Sequence, residues 1–461
     1  MNVLDTRFHL VGIGGIGVSA VARLLHARGA YVQGSDVRES QITLALRALG
    51  VSVQIGHDAS MLDTADVVVR STAIPETNLE IVAAHARDMP VVHRSEVLGA
   101  LIDTRSSVGV IGTHGKGTVS GAVTWLLDAA GHEPGYIIGG LLENFGDNAR
   151  DGKTWLVAEI DESDGSLVNT RPQIAILNNL ELDHLNYYDS WDKLEAAVIR
   201  FFVDNPRLQK CVINADDPGA RAIAAKLREK GLGDRIVTFG FASEDADYRG
   251  IDLQTSRMSA QFTVHGADGV LGCTSISLPG SYNASNVLGA MAACHVVGVP
   301  FDVIAAAAPA YRGLENRFTL VDADGVEVVK DYISHPTGIR RVLGAAREQA
   351  RGDVVAVFKP YRFTMIHYLQ DDYAEAFAEA DRVVVTELYT AGEVPIPGVD
   401  TDLLCRRIGE RCDQVNYVHD LDAIPPFLDE TVEPGSTVLF FGGDDLFAVA
   451  DGYVRARRAR A

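Results

Sequence analysis

Short apolar runs rich in valine, isoleucine and phenylalanine recur along the chain. They alternate with longer stretches in which apolar residues return every three or four positions. The runs read as strands covered on both faces, and the longer stretches as the covering helices. In the first part of the chain the strands are "FHLVGI", "YVQGSD", "VSVQIG" and "DVVVRS", with helices such as "GVSAVARLLHARG" between them. A second series opens at "SVGVIG" and continues through "TWLVAEID", "IAILNN", "KCVINAD" and "RIVTFGF". The following segment, "DYRGIDLQTSRMSAQFTVHGADGVLGCTSISL", alternates and is turn-rich, which predicts a small antiparallel patch, and the helix "NASNVLGAMAACHVVG" closes the series. A third series contains "EVVKDY", "VVAVFK", "RVVVTELY" and "TVLFFGG". Strands alternating with helices predict an α/β fold with parallel sheets, divided into domains spanning 1–103, 104–313 and 314–461.

The composition fits that division. A chain of 461 residues exceeds one ordinary core. Its formal charge of −21 argues against a general nucleic-acid or anionic-membrane surface. The five cysteines lack paired C-x-x-C spacing, as suits reduced thiols in a cytoplasmic protein better than a disulfide frame or a zinc site. No apolar run reaches the roughly 18 residues that a membrane helix needs. The expectation is a cytoplasmic monomer or homodimer acting on small molecules.

Two glycine-rich turns carry the chemistry. In "GIGGIG", Gly12, Gly14 and Gly17 stand at G-x-G-x-x-G spacing between a strand and a helix, with Gly15 among them. Glycines there let backbone approach a diphosphate seated on the helix N-terminus, and Asp36 in "GSD" stands where an acid meets a ribose hydroxyl. Alone, this suggests a Rossmann-like nucleotide domain, with a dehydrogenase as the default. The second turn, "GTHGKGT", makes that default unnecessary. It comprises Gly112, Thr113, His114, Gly115, Lys116, Gly117 and Thr118, between a buried strand and a helix. Such a loop cradles phosphate oxygens with backbone N–H groups, and its lysine adds charge at the β/γ end. Downstream, "AEIDESD" supplies Glu159, Asp161, Glu162 and Asp164, and "NNLELDHL" supplies Glu181, Asp183 and His184. Both segments end strands of the same predicted sheet. Carboxylates beside a phosphate-binding lysine make sense where magnesium bridges them.

With these motifs in one order, the chain resembles the Mur ligases over nearly its whole length. The resemblance is carried by "GIGGIGVSA", "GSD", "STAIP" and "HRSE", then "GTHGK", "AEIDESD", "LELDH" and "PGSYNASN", then "NRF", "DYISHPTGIRR", "FKPYRFT" and "ELYTAGEVPIPG". It implies a Rossmann-like N-terminal domain, a central P-loop ATPase-like domain and a Rossmann-like C-terminal domain. It also implies an ATP-dependent amide ligase that uses Mg2+. The acid would be a UDP-N-acetylmuramate-like UDP-sugar, activated as an acyl phosphate, and the amine an amino acid. Gly12, Gly14, Gly15 and Gly17 would hold the diphosphate, with Asp36, Ser71 and His93 near the uridine. Lys116 would meet the β- and γ-phosphates, and Glu159 and His184 the metal. Asn283 and Asn286 would meet the adenine, Asp331 the ribose, and Arg317 the γ-phosphate from a third domain that closes over the nucleotide. Tyr332, His335, Tyr361 and Arg362 fall in the motifs that handle the amino acid and the reacting carboxylate.

The sequence departs from the family in telling places. A hydroxyl residue ordinarily follows the P-loop lysine and binds magnesium. Here that residue is Gly117, and Thr118 is the nearest substitute, rotated by about 100° on a helix. The family's "DDYGHHPTE" appears as "KDYISHPTG", its "PHRYTR" as "PYRFTM", and Tyr282 replaces a histidine. Two alternatives stay open: an impaired paralogue that binds nucleotide as a regulator, and a ligase specialised for a secondary-metabolite nucleoside acid.

Overall fold

The computed structural model describes residues 5–183, 187–188 and 190–460. Three α/β sheets appear in chain order. The first contains β1 (Arg7–Val11), β2 (Tyr31–Asp36), β3 (Ser52–Ile55), β4 (Val67–Arg70) and β5 (Val91–His93), in the order β3-β2-β1-β4-β5 with every pairing parallel. The order in which strands are added reverses at β1, so the loops after β1 and β4 diverge at the carboxyl edge, where a crevice opens.

The second sheet contains β6 (Ser106–Ile111), β7 (Gly135–Leu142), β8 (Asp147–Arg150), β9 (Trp155–Glu159), β10 (Ile174–Leu177), β11 (Lys210–Asn214), β12 (Ile236–Gly240), β13 (Tyr248–Ser256), β14 (Ser259–Gly266) and β15 (Gly269–Ile276). Their order is β15-β14-β13-β12-β11-β10-β6-β9-β7-β8. Strand β6 lies between β10 and β9, parallel to both, so the loop after β6 is flanked by the carboxyl ends of its two neighbours. The segment predicted as a small antiparallel patch forms β13, β14 and β15, and it extends this sheet because β13 pairs in parallel with β12. The glycine-rich hairpin strands β7 and β8 were not foreseen.

The third sheet contains β16 (Thr319–Ala323), β17 (Val326–Asp331), β18 (Val354–Phe358), β19 (Arg382–Val385), β20 (Val415–Tyr417) and β21 (Thr437–Phe441), in the order β16-β17-β21-β18-β19-β20. Only β16 runs against its neighbour. The strands "VVAVF" and "TVLFF" are buried at every position, which is why they read as continuous apolar runs.

The described residues form two compact units. Residues 1–252, 262–276 and 285–314 make one, which holds the first sheet and most of the second. Residues 253–261, 277–284 and 315–461 make the other, which holds the third sheet. Within the first unit, polar contacts tie the first sheet's helices to the second sheet. Arg23 reaches Asp147 at 2.9 Å, and Arg28 and Arg105 share Asp151. No described helix is long and apolar enough to cross a membrane, and the five cysteines are free thiols.

Candidate active site

The first glycine loop follows β1. Gly12 adopts φ +72°, where a side chain is strained, and an added Cβ would lie 2.8 Å from Ile74 Cδ1. The Gly12 and Ile13 amides donate to the Ser35 carbonyl at 2.9 and 3.0 Å, and Gly15 N–H donates to Gly12 O at 3.0 Å. The Asp36 carboxylate turns back onto the loop and accepts the Gly14 amide at 2.8 Å. The helix Ile16–Ala27 starts after Gly15 with no side-chain cap, so its first-turn amides are presented outward. Ser71 and His93 line a common cavity of about 490 Å³, together with Arg70, Ile74, Glu76 and Glu96. The His93 imidazole pKa is lowered, because burial and Arg94 outweigh the opposing pull of Asp164.

The second loop follows β6 and has a different character. Gly115 is left-handed at φ +76° and precedes the helix Lys116–Ala129, again without a side-chain cap. An added Cβ at Gly115 would sit 2.7 Å from Asn286 Oδ1 and 2.9 Å from Asn178 Nδ2. Asn178 and Asn179, at the end of β10, hold the loop: both side-chain amides donate to His114 O, at 3.0 and 2.8 Å, and Asn179 Oδ1 accepts the His114 amide at 2.7 Å. Thr113 exchanges hydrogen bonds with the Glu181 backbone at 2.9 and 3.2 Å. Sequence reasoning assigned no role to these asparagines, although a polar pair ending an apolar strand was there to be read.

Lys116 Nζ donates to Gly112 O and Glu162 Oε1, both at 2.8 Å. Burial pulls the ammonium pKa down, but Glu162, Asp161 and Glu159 together more than reverse this, so Lys116 stays charged. Burial likewise pushes Asp161 up, yet Lys116 and Arg94 bring it down to about 2. Glu159, at the end of β9, accepts the Gly139 amide at 2.7 Å. An added Cβ at Gly117 would point at this carboxylate, 3.3 Å from Glu159 Oε2, and would meet Leu314 Cδ1 at 2.7 Å. Position 117 therefore faces the acid, and Leu314 fills part of the room that a side chain there would take. Thr118 is one residue further along the helix, and its carbonyl accepts Tyr311 O–H at 2.8 Å. His184 lies outside the described residues.

Uncapped helix amides, a left-handed glycine and a charged lysine suit phosphate oxygens. Glu159, opposite the missing side chain, is a hard oxygen donor of the kind magnesium takes. The residues present therefore fit magnesium-bound nucleotide.

Arg94, absent from the sequence-derived site, links the first loop to the acidic segment after β9. Its guanidinium lies 3.4 Å from the point where a Gly17 Cβ would sit. It also donates to Asp164 at 2.8 Å and Asp161 at 3.3 Å. These contacts bridge 70 and 67 positions of chain.

Asn283 and Asn286 share the helix Gly280–Val297, and both are buried. Asn286 Oδ1 accepts from Asn178 at 2.8 Å, and Asn283 donates to Pro279 O at 2.9 Å. In the C-terminal unit, Arg317 donates to Tyr332 O at 2.6 Å and lies 3.6 Å from Asp331. Burial pushes the Asp331 carboxyl up to about 6, despite Arg317 and the Phe318 amide. His335 caps the helix Pro336–Arg347. Arg362 adopts φ +64°, donates its amide to Tyr389 O at 2.9 Å and sets its guanidinium 4.9 Å from the Tyr361 ring centroid. Tyr361 in turn stacks on Tyr389 at 5.6 Å.

Four of the departures in this unit meet in pairs. A Cβ added at Gly338 would lie 2.4 Å from Ile333 Cγ1, so the glycine makes room for the isoleucine. Ser334 Oγ lies 4.0 Å from Met365 Sδ, so the residues replacing a histidine and an arginine touch.

Comparison with known proteins agrees with this geometry. The chain matches three family descriptions in order: "Mur ligase family, catalytic domain" over residues 7–106, "Mur ligase middle domain" over 110–294 and "Mur ligase, glutamate ligase domain" over 316–443. It is 39% identical to a UDP-N-acetylmuramate–L-alanine ligase of Symbiobacterium thermophilum, covering 99% of this chain and 95% of that one. A ligase of the same name from Syntrophotalea carbinolica is 38% identical, with 96% of each chain covered. Among solved structures, the UDP-N-acetylmuramate–alanine ligase of Thermotoga maritima matches with a TM-score of 0.83 at 25% identity, covering 99% of this chain and 100% of that one. A murein peptide ligase from Psychrobacter arcticus shares the fold, with a TM-score of 0.72 at 22% identity and coverage of 98% and 99%.

Proposed function

The chain belongs to the Mur ligase family, and from that premise we propose that it joins an amino acid to the carboxylate of a UDP-N-acetylmuramate-like acid, through an acyl phosphate, at the expense of ATP. The observation that carries this reading is Lys116. It is kept charged among three carboxylates, at the head of a helix whose first amides have no cap.

Magnesium-bound ATP, when present, supplies the phosphoryl group that activates the acid. The chain's own residues do the rest. The Gly12–Gly17 loop and the cavity lined by Ser71 and His93 hold the UDP moiety, with Asp36 bracing the loop. Lys116 and the amides after Gly115 take the terminal phosphates, and Glu159 takes the metal. With no hydroxyl at Gly117, a magnesium ion held by Glu159 would keep a water in that place, since it usually retains several. Arg317 and Asp331 are the nucleotide contacts of the C-terminal unit, and Arg362 receives the amino-acid carboxylate.

In the reaction, a carboxylate oxygen bonds to the γ-phosphorus and ADP leaves. The amine nitrogen then bonds to the acyl carbon, and phosphate departs with that oxygen while the amine gives up a proton. Developing negative charge on the transferred group is what a fixed lysine stabilises. L-Alanine, the amino acid in the relatives' names, is the first amine to test. The paired changes at 333/338 and 334/365 call for a wider panel beside it.

The test is phosphate release from Mg-ATP with UDP-N-acetylmuramate and single amino acids, with products weighed by mass spectrometry. Release that requires both acid and amine, with a product one water lighter than their sum, is the expected result. Release that requires neither, or no release with any amine, contradicts the proposal.

A further inference from the structure

Beneath the first glycine loop, outside every role assigned above, lies a sealed polar cluster. Glu80, His9 and Ser35 are each wholly buried. Four polar groups converge on the Glu80 carboxylate, and Ser35 Oγ also lies 2.9 Å from His57 Nδ1. Ser35 Oγ at 2.5 Å, His9 Nε2 at 3.1 Å and His57 Nδ1 at 3.2 Å meet Oε2, and the Asp58 amide meets Oε1 at 3.1 Å. Gln33 stands beside His9. Its side-chain carbonyl accepts from Tyr31 and Thr64, so its NH2 donates to Met61 O and lies 3.5 Å from His9 Nδ1, on the ring edge away from Glu80. Burial pushes the Glu80 pKa up, but the bonds from His9, Ser35 and Asp58 bring it below the usual range.

A buried charge is a poor source of stability, since an apolar residue of similar volume often serves as well. What so many polar contacts do provide is a fixed geometry, and Ser35 is where that geometry reaches the loop. Its hydroxyl is pinned to Glu80, while its carbonyl accepts the Gly12 and Ile13 amides at 2.9 and 3.0 Å. The next residue, Asp36, takes the Gly14 amide. Three successive loop amides therefore hang from residues 35 and 36. We infer that Glu80 is a positioning residue for the diphosphate of the acid substrate, acting through Ser35 on the Gly12–Gly17 loop. This rests on the proposal that the loop binds the UDP moiety.

Glu80→Gln tests it, because the variant keeps the shape but turns an NH2 toward groups that donate. Titration calorimetry with UDP, and separately with Mg-ATP, is paired with steady-state kinetics. UDP affinity should fall roughly tenfold and the KM for the acid rise in step, while Mg-ATP affinity and kcat move less than about twofold. A merely structural role would lower the melting temperature and the active fraction, and so kcat, without moving KM. Ser35→Ala keeps the carbonyl and removes only the tether. It should show the same split more weakly, the double variant should be no worse than Glu80→Gln, and Ser35→Ala decides alone if Glu80→Gln does not fold. Unchanged UDP affinity in these variants, with the wild type binding UDP, overturns the inference and leaves the proposed function standing. A wild type that does not bind UDP overturns both.

Discussion

The two glycine loops use one device for two purposes. Each turns from a parallel strand into a helix through a left-handed glycine, Gly12 or Gly115, and each leaves its helix uncapped. Around the first loop the contacts are amides to the Ser35 carbonyl and to Asp36, and the cation beside Gly17, Arg94, is committed to Asp164 and Asp161. Around the second, Lys116 is pressed against Glu162, with Asp161 and Glu159 close enough to keep it charged. Helix amides alone suffice to seat an anion that is carried through unchanged. A phosphoryl group that changes bonding partners needs charge fixed in advance where charge will develop. On the proposed function, the carboxylates about Lys116 distinguish the loop that meets the reacting phosphate from the loop that only binds.

That contrast breaks most sharply at the lysine. Lys116→Ala should lower kcat by roughly 10²–10³-fold while leaving UDP affinity unchanged, checked by phosphate release and UDP titration. The complementary change, Gly12→Ala, forces a side chain into left-handed backbone against Ile74. It should raise the KM for the acid roughly tenfold and leave the KM for ATP in place.

A smaller effect sharpens the picture of the metal. Gly117→Thr directs a hydroxyl at Glu159, provided the Leu314 methyl gives way, as the end of a flexible side chain can. The magnesium concentration for half-maximal activity should fall roughly threefold. The same substitution on a Leu314→Ala background should give the fall more readily.

The smallest effect lies outside both loops. Asp331 titrates near 6 in the folded chain against an ordinary 3.8, so between those values the native state holds a proton that the unfolded chain has lost. Its contribution to stability therefore declines as pH rises from about 4 to 6 and stays low above 6. Asp331→Asn should flatten that slope and melt about 2–4 °C higher at pH 7, as thermal unfolding at pH 4 to 7 would show.

Much of this was legible in the chain, and what was not has a physical reason. The buried strands of the three sheets announced themselves as apolar runs, and both loops by glycine spacing. Strand β5, with only "VVH", is too short to show a period. Strand β7, "GYIIGGLL", is disguised by glycines, one of which, Gly139, gives its amide to Glu159. Asp36 was expected at a ribose hydroxyl from its position ending β2, and the fold turns its carboxylate onto the Gly14 amide instead. Arg94 was hidden altogether, because ion pairs across some 70 residues leave no periodic trace. The substitutions at 333, 334, 338 and 365 were legible as changes within the amino-acid motifs, but which of them meet shows only in the packing.

The account stands most directly on where one oxygen goes. With UDP-N-acetylmuramate labelled with 18O in its carboxylate, an acyl phosphate formed at the Lys116 loop transfers one labelled oxygen to each phosphate released, and mass spectrometry of that phosphate should find it. Unlabelled phosphate alongside an amide product would contradict the mechanism.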